Sequence, residues 1–442
     1  MNIVTSTDES VNEGSLMAGP ARKIKFTEHL LLACFWFGTN FIWGAFLGPV
    51  LASQMSRLAP DNSAAILGYL YTIGALPALL IPLIFGPLSD RSNHRWGRRR
   101  PFILGGGILT VLGLASMSGA YNAMSIPLYF GGYLILQIGA NIALAAYSGV
   151  IPDLVPQDQR GIASGYMALM SQVATLAGAL ISGFMISAKQ DLPMFGLIIG
   201  VFVVFLFLTL IGVKESHQTK EQPKFEWVSY LKSLWIDPKK YPDFAWVWIT
   251  RALMMFGFYS IQPYLLYFLR DVIKVEKPAS TAGIVFGIIL LAATISGFLG
   301  GVISDRTGRK PVVIVSSMVI AVMCIILVFC TNLTQALIGG VFFGLGYGAY
   351  ISVDWALGTD VLPNKEDAGK DMAVWHVSMT LPQQIAPLLA GLALSLFKGP
   401  TIIEDGKKVA TYAHPGYLIV FTFAAICFAL SGLLVRKVKG AR

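Results

Sequence analysis

Two stretches decide how this chain is read: GPLSDRSNHRWGRRRPF, Gly86–Phe102, and GVISDRTGRKPV, Gly301–Val312. Each runs from an apolar segment through an Asp-Arg pair, a glycine and a basic cluster to a proline that opens the next apolar segment. Asp90 and Asp305 stand 215 residues apart. A second echo, IPDLVP at Ile151–Pro156 against GTDVLP at Gly358–Pro363, has an offset of 207. The difference of 8 is shared between the two intervening segments, so one unit is written twice in the same direction.

Outward from these loops the sequence is apolar. Of 442 residues 55% are hydrophobic and 13% charged, against roughly 25% charged in soluble domains. The apolar residues fall into runs near 28–55, 63–88, 101–120, 126–151, 161–187 and 193–213, and after a charged segment at 214–242 near 243–269, 279–303, 311–330, 334–359, 370–397 and 415–435. Each run can cross a hydrocarbon layer of about 30 Å at about 1.5 Å per residue. The expected architecture is an all-α membrane protein with a tail at 1–27, a six-helix half at 28–213, a linker at 214–242, a second half at 243–435 and a tail at 436–442.

The net charge of +9 lies in short clusters between apolar runs and not along one face, which argues against nucleic acid as a partner. With both termini on the cytoplasmic side, the inner segments hold 24 of the 33 Lys and Arg, the outer loops 8, and Arg251 lies within a span. The positive-inside rule therefore selects that orientation. The linker alternates Lys and Glu around Trp227, Tyr230 and Trp235, which suits an amphipathic interfacial segment as well as a solvated one. Residues 1–21 lack the basic start and short apolar core of a cleavable signal peptide. Cys34, Cys324, Cys330 and Cys427 lie inside apolar runs with no paired spacing, so neither disulfides nor a metal site is expected.

A G-x-x-x-D-R-x-G-R-[RK] loop in each half of a twelve-span chain resembles the signature loop of the major facilitator superfamily. Its physical sense is a latch, in which a carboxylate pairs with arginines and the positive end of a helix in one state of the gate. The gating candidates are Asp90, Arg91, Gly97 and Arg98 in one copy and Asp305, Arg306, Gly308 and Arg309 in the other. Setting topology is the simpler role for the same arginines. The longer DRSNHRWGRRRPF, with ALAAYSGVIPDLVPQDQRG, resembles more narrowly the glycoside-pentoside-hexuronide cation symporters and the sucrose/proton symporters. The places at which the sucrose symporters carry a proton-accepting Asp and an Arg in the fourth span hold Gln137 and Ser148 here. The sodium-coupled members have acidic residues in the second span, and none lies between Asp61 and Asp90.

An ionisable side chain inside a span is expensive unless paired or wetted, and so is a functional candidate. Arg251, Asp354 and His376 each lie 6 to 8 residues from the inner end of their spans, roughly 9–12 Å deep. The resemblance implies that spans one, four, seven and ten line a central cavity, where Arg251 and Asp354 would meet with His376 flanking. A motion that separates or wets such a pair changes its proton affinity, as coupled transport requires. A permanent structural pair is the alternative.

Helical spacing adds Asn40 and Trp43 with Trp36 in span one, and Gln137 and Asn141 in span four. It also adds Gln262 on the face of Arg251, Tyr350 on that of Asp354, and Gln383 with Thr380 on that of His376. Amides bind hydroxyls in both senses and aromatic rings cover sugar C–H faces, so the expected partner is a neutral polyhydroxylated small molecule. Helix-to-helix hydrogen bonding would use the same residue types. Pro77, Pro82, Pro263, Pro382 and Pro387 are candidate kinks.

No nucleotide loop, nucleophile elbow or metal-binding motif occurs, so no enzyme and no cofactor is expected. The reading is a monomeric, multi-pass transporter of a bacterial inner membrane that moves a sugar or glycoside with protons. A drug or metabolite exporter and a non-transporting pigment-assembly or sensor protein of the same fold are the alternatives.

Overall fold

The computed structural model describes residues 24–215, 235–363, 368–404 and 407–439. Most of the linker, with Trp227 and Tyr230, lies outside the described residues, as do 1–23 and 440–442. Among the described residues twelve helices are long and apolar enough to span a membrane. They are α1 Phe26–Leu58, α2 Ser63–Asp90, α3 Arg100–Asn122, α4 Ile126–Leu154, α5 Gln157–Ser187, α6 Asp191–Gly212, α7 Pro242–Asp271, α8 Pro278–Thr307, α9 Arg309–Val328, α10 Leu333–Asp360, α11 Val374–Ser395 and α12 His414–Lys437. Between α11 and α12 a short antiparallel hairpin pairs β1, Ile402–Glu404, with β2, Lys407–Val409.

With no apolar gain from burying one helix against another in lipid, close backbone approach carries the packing. Gly106 of α3 shows it: a Cβ there would lie 2.6 Å from the Gly139 carbonyl of α4. The loops that join α2 to α3 and α8 to α9 define one face of the bundle, called the loop face below. The ends joined by the hairpin define the opposite face.

Both halves break their first helix at the same place. In α1 a wide turn spans Phe46–Val50 around Gly48 and Pro49, and Leu51 N–H bonds back to the Phe46 carbonyl, freeing that of Leu47. In α7 a tight 3-10 turn spans Gln262–Tyr264 around Pro263. Pro49 and Pro263 are 214 residues apart, close to the offset of the repeated loops. The sequence reading named Pro263 and missed Pro49. Pro382 and Pro387 sit inside an unbroken helix, and α2 changes direction at Gly74, three residues before Pro77.

Candidate functional site

In the loops, Gly97 and Gly308 adopt φ of +100° and +89°, the left-handed region that disfavours any side chain. Each turns the chain so that the next residues point back at the end of a neighbouring helix. Arg98 Nη2 reaches Asp153 Oδ1 at 2.6 Å, at the end of α4. The second copy repeats this, with Arg309 Nη1 2.8 Å from Asp360 Oδ2 at the end of α10. The two aspartates are those of the IPDLVP and GTDVLP echoes, so the repeated motifs are the two ends of one ion pair.

Arg99, which the sequence reading did not single out, is the most engaged residue of the first loop. It is buried and bridges Asp90 at 2.7 Å and Asp153 at 2.5 Å, while its backbone N–H donates to Glu215 at 2.9 Å. The run Arg98–Arg100 hid which arginine turns inward. Asp305 and Arg306 are exposed, and neither forms an ion pair among the described residues. Arg91 is half-buried. All of these pairs lie within one half or between it and the adjoining linker end.

At mid-depth the halves differ. In the N-terminal half Gln137 is buried and its Nε2 donates to the Tyr133 hydroxyl at 2.8 Å. Asn141 Nδ2 donates to the Gln137 backbone carbonyl at 2.8 Å and to its Oε1 at 3.3 Å. Asn40 donates to the Trp36 carbonyl at 2.8 Å, and Trp36, Asn40 and Trp43 are all half-buried. This half presents amides, phenols and indoles without an ion.

In the C-terminal half Arg251 and Asp354, 2% and 1% exposed, form a salt bridge through Nη1 and Oδ2. Tyr350 donates to Asp354 Oδ1 at 3.2 Å. The Arg251 guanidinium carbon lies 3.5 Å from the centroid of the Trp375 ring, and its Nη2 approaches Met379 Sδ at 3.6 Å. Arg251, Tyr350 and Asp354 are thus brought together, Tyr350 as the spacing on α10 predicts and Arg251 as the resemblance implies. His376 follows Trp375 on α11 and is exposed, with Arg251 the charged group nearest in effect. Gln383 is half-buried on the same helix. Trp375 could have been found as one more aromatic beside His376.

Gln262 is buried and reaches across to the other half. Its Nε2 donates across the molecule to the Leu47 carbonyl, the one that the break in α1 leaves free, while its Oε1 is buried without a partner among the described residues. It heads a row of bonds that join the halves toward the opposite face. Tyr264 donates to Ala64 O at 3.1 Å, Tyr267 to Ala52 O at 2.8 Å and Arg270 to Ser56 Oγ at 2.7 Å. The Tyr412 hydroxyl takes the Ala64 N–H at 2.7 Å, Ala410 N–H donates to Pro60 O at 2.9 Å, and Ser280 N–H to Ser187 Oγ at 3.1 Å.

Glycines make the same seam. A Cβ at Gly391 of α11 would lie 2.3 Å from Ala64 O of α2, and one at Gly68 2.7 Å from Leu388 Cα. Toward the loop face the contact ends. Between described residues no hydrogen bond or ion pair joins the halves beyond Thr72 to Gln384, at 3.1 Å, and Gln172 to Thr294, at 2.9 Å. Positions Gly86 of α2 and Gly161 and Gly165 of α5 have open space where a Cβ would stand. A cleft of about 420 Å³ there is lined mostly by the linker end and α7, with Val374 and Val377 of α11 and Leu83 of α2 at its edge. Between described residues the bonds that join the halves gather toward the opposite face.

A family model described as Major Facilitator Superfamily matches residues 29–364 and again 276–441. Among curated proteins, the multi-drug resistance efflux pump PmrA of Streptococcus pneumoniae is 24% identical over 424 residues, 93% of this chain and 96% of its own. The sucrose transport protein SUC4 of Arabidopsis thaliana is 25% identical over 178 residues, 37% of this chain and 34% of its own. A solved bacterial homologue of the human lysosomal transporter Spinster, in an inward-facing and unoccupied conformation, superposes with a TM-score of 0.68 at 16% identity, covering 94% of this chain and 96% of that one. The duplicated twelve-helix fold and the match over most of its length place this chain in the Major Facilitator Superfamily of membrane transporters.

Proposed function

We propose that the chain carries a neutral, polyhydroxylated solute such as a sugar or glycoside across the membrane, driven by proton symport through Asp354. The observation that carries this reading is the contrast at mid-depth. At that depth one half offers an uncharged set of amides and aromatics, Gln137, Asn141, Asn40 and Trp43, and the other holds the buried carboxylate of Asp354 paired to Arg251. Amides without an ion suit hydroxyl groups and not a polyanion. A lone intramembrane carboxylate whose partner lies on another helix can gain or lose a proton as those helices move.

The excess of Lys and Arg in the loop-face segments supports a cytoplasmic side for that face and both termini, and our reading is of a monomer in a bacterial inner membrane. In that orientation the sealed opposite face makes this the inward-facing state, and the cycle alternates it with a state in which the seam opens and the loop face closes. The Asp90 and Asp305 loops act at the moving ends of the helices. The breaks at Pro49 and Pro263, tied by Gln262, supply the bend.

The second reading is a drug exporter, favoured by the pneumococcal pump's identity along 93% of the chain. One experiment separates the two. Proteoliposomes are given labelled mono- and disaccharides, and in parallel ethidium, each with and without an imposed pH gradient. Accumulation of a sugar only with the gradient, lost in Asp354→Asn, supports the symporter. Gradient-driven ethidium movement with no sugar uptake supports the exporter, and gradient-independent uptake removes proton coupling.

A further inference from the structure

A buried guanidinium that shares its carboxylate with a proton faces a particular difficulty. When a proton from water on the open side forms an O–H bond on Asp354, no bond in the protein breaks, and the pair passes from neutral to one positive charge. Arg251 Nε is already buried without an acceptor among the described residues, and Met379 sulfur is a weak one. The other groups facing the pair are Tyr347 and Tyr350 from α10, Tyr259 from α7, His376 from α11 and, beside Tyr350, Ser431 from α12. None brings a second carboxylate.

What remains is the Trp375 ring, 3.5 Å from the guanidinium carbon and fully buried. Its own N–H has no acceptor among the described residues, so hydrogen bonding does not explain its place. Two features fix it there. Trp355 meets it edge-on at 4.8 Å, and Gly358 lies beneath it, where a Cβ would stand 2.8 Å from the indole. Gly358 is the glycine of the GTDVLP echo.

Resting on the reading of Asp354 as proton carrier, we propose that Trp375 is a positioning residue for coupling: its indole face holds the Arg251 guanidinium during the interval in which Asp354 is protonated. The negative face of the ring attracts the cation and repels the neighbouring carboxylate. Protonation removes the repulsion and keeps the attraction, so the indole favours the loaded state and stops Arg251 from swinging away in search of another partner.

The test needs no solute, because the probe is the proton. Infrared difference spectra of the purified protein in liposomes are titrated with pH, and the carboxylic-acid carbonyl band of Asp354 is assigned by its loss in Asp354→Asn. Trp375→Leu is expected to move the midpoint of that band toward acid by up to roughly one pH unit, because the ring's repulsion of the ionised carboxylate is lost. Trp375→Phe should move it less, and Gly358→Ala, which displaces the indole without removing it, should shift it in the same direction. A structural role alone would lower the yield or rate of these variants and leave the midpoint in place, and an unmoved midpoint in Trp375→Phe and Gly358→Ala overturns the proposal even where Trp375→Leu does not fold. A band that never titrates in the parent protein overturns the proton reading and this proposal together, whereas a titrating band with an unmoved midpoint sinks this proposal alone.

Discussion

The two faces of the molecule are held by different kinds of contact. Across the opposite face the halves meet mainly through neutral hydrogen bonds and glycine-to-backbone packing, as in Ala64 with Tyr412 and Gly391 with Ala64, and the charged donor there, Arg270, meets the neutral hydroxyl of Ser56. On the loop face the strong contacts are ionic, Arg99 with Asp90 and Asp153 and Arg309 with Asp360, and they stay within a half. The Arg251–Asp354 pair belongs to the second kind, since α7, α10 and α11 all lie in the C-terminal half. A neutral bond contributes about 1 kcal/mol net and is replaced by water at little cost, whereas breaking a buried ion pair is several times dearer. Contacts that join the halves are therefore the weak ones, and these ion pairs each stay within one half.

The largest effect should come from the within-half class. Asp354→Ala leaves Arg251 buried without its counter-charge and is expected to destabilise the protein by roughly 3–5 kcal/mol, read as a drop in thermal unfolding temperature in detergent. If its stability matched the parent, the pair would not hold the half together. Gly391→Leu puts its Cβ 2.3 Å from the Ala64 carbonyl and must spread α2 from α11. Its expected cost is roughly 1–3 kcal/mol, with faster labelling from the opposite face of a cysteine placed at Ser63, and unchanged labelling would show that the seam is not the barrier.

The smallest effect should be Tyr412→Phe, which removes the hydroxyl shared by Ser63 and the Ala64 N–H at a cost of about 1–2 kcal/mol, seen as a modest rise in that same labelling. Burial pushes the Tyr412 phenol up from its ordinary value, so the folded state favours the neutral form. Its stabilisation is full below the ordinary tyrosine value near 10 and fades as pH rises through the raised one. Divided by the rate of a free thiol at the same pH, the labelling rate of Ser63→Cys should hold steady across neutral pH, and a rise in that ratio below pH 8 would show another group governing the seam.

Much of this was legible in the sequence, because the duplication and the positive charge of the loops are linear features. The pairing of Arg251 with Asp354 also followed, from their equal depth together with the span arrangement that the family resemblance implies. What stayed hidden depended on direction in space. Arg98, Arg99 and Arg100 read alike, and only the turn at Gly97 decides that Arg99 enters the protein. Pro49 lay in a long apolar run and looked like Pro382, yet a neighbouring Gly48 with ψ of −115° lets the helix widen there. Gln262, placed on the face of Arg251 by spacing, also caps Leu47 across the midline, a contact 215 residues distant that no periodicity reports.

The central claim is that transport requires the sealed seam to open. Ser187 of α5 and Ser280 of α8 touch across it, with the Ser280 N–H 3.1 Å from the Ser187 hydroxyl, and the native cysteines Cys34, Cys324, Cys330 and Cys427 are all buried and do not compete for oxidant. In Ser187→Cys/Ser280→Cys, oxidised to completion in proteoliposomes, solute accumulation should fall to background and return on reduction. Accumulation at the full rate with the cross-link in place would contradict the account.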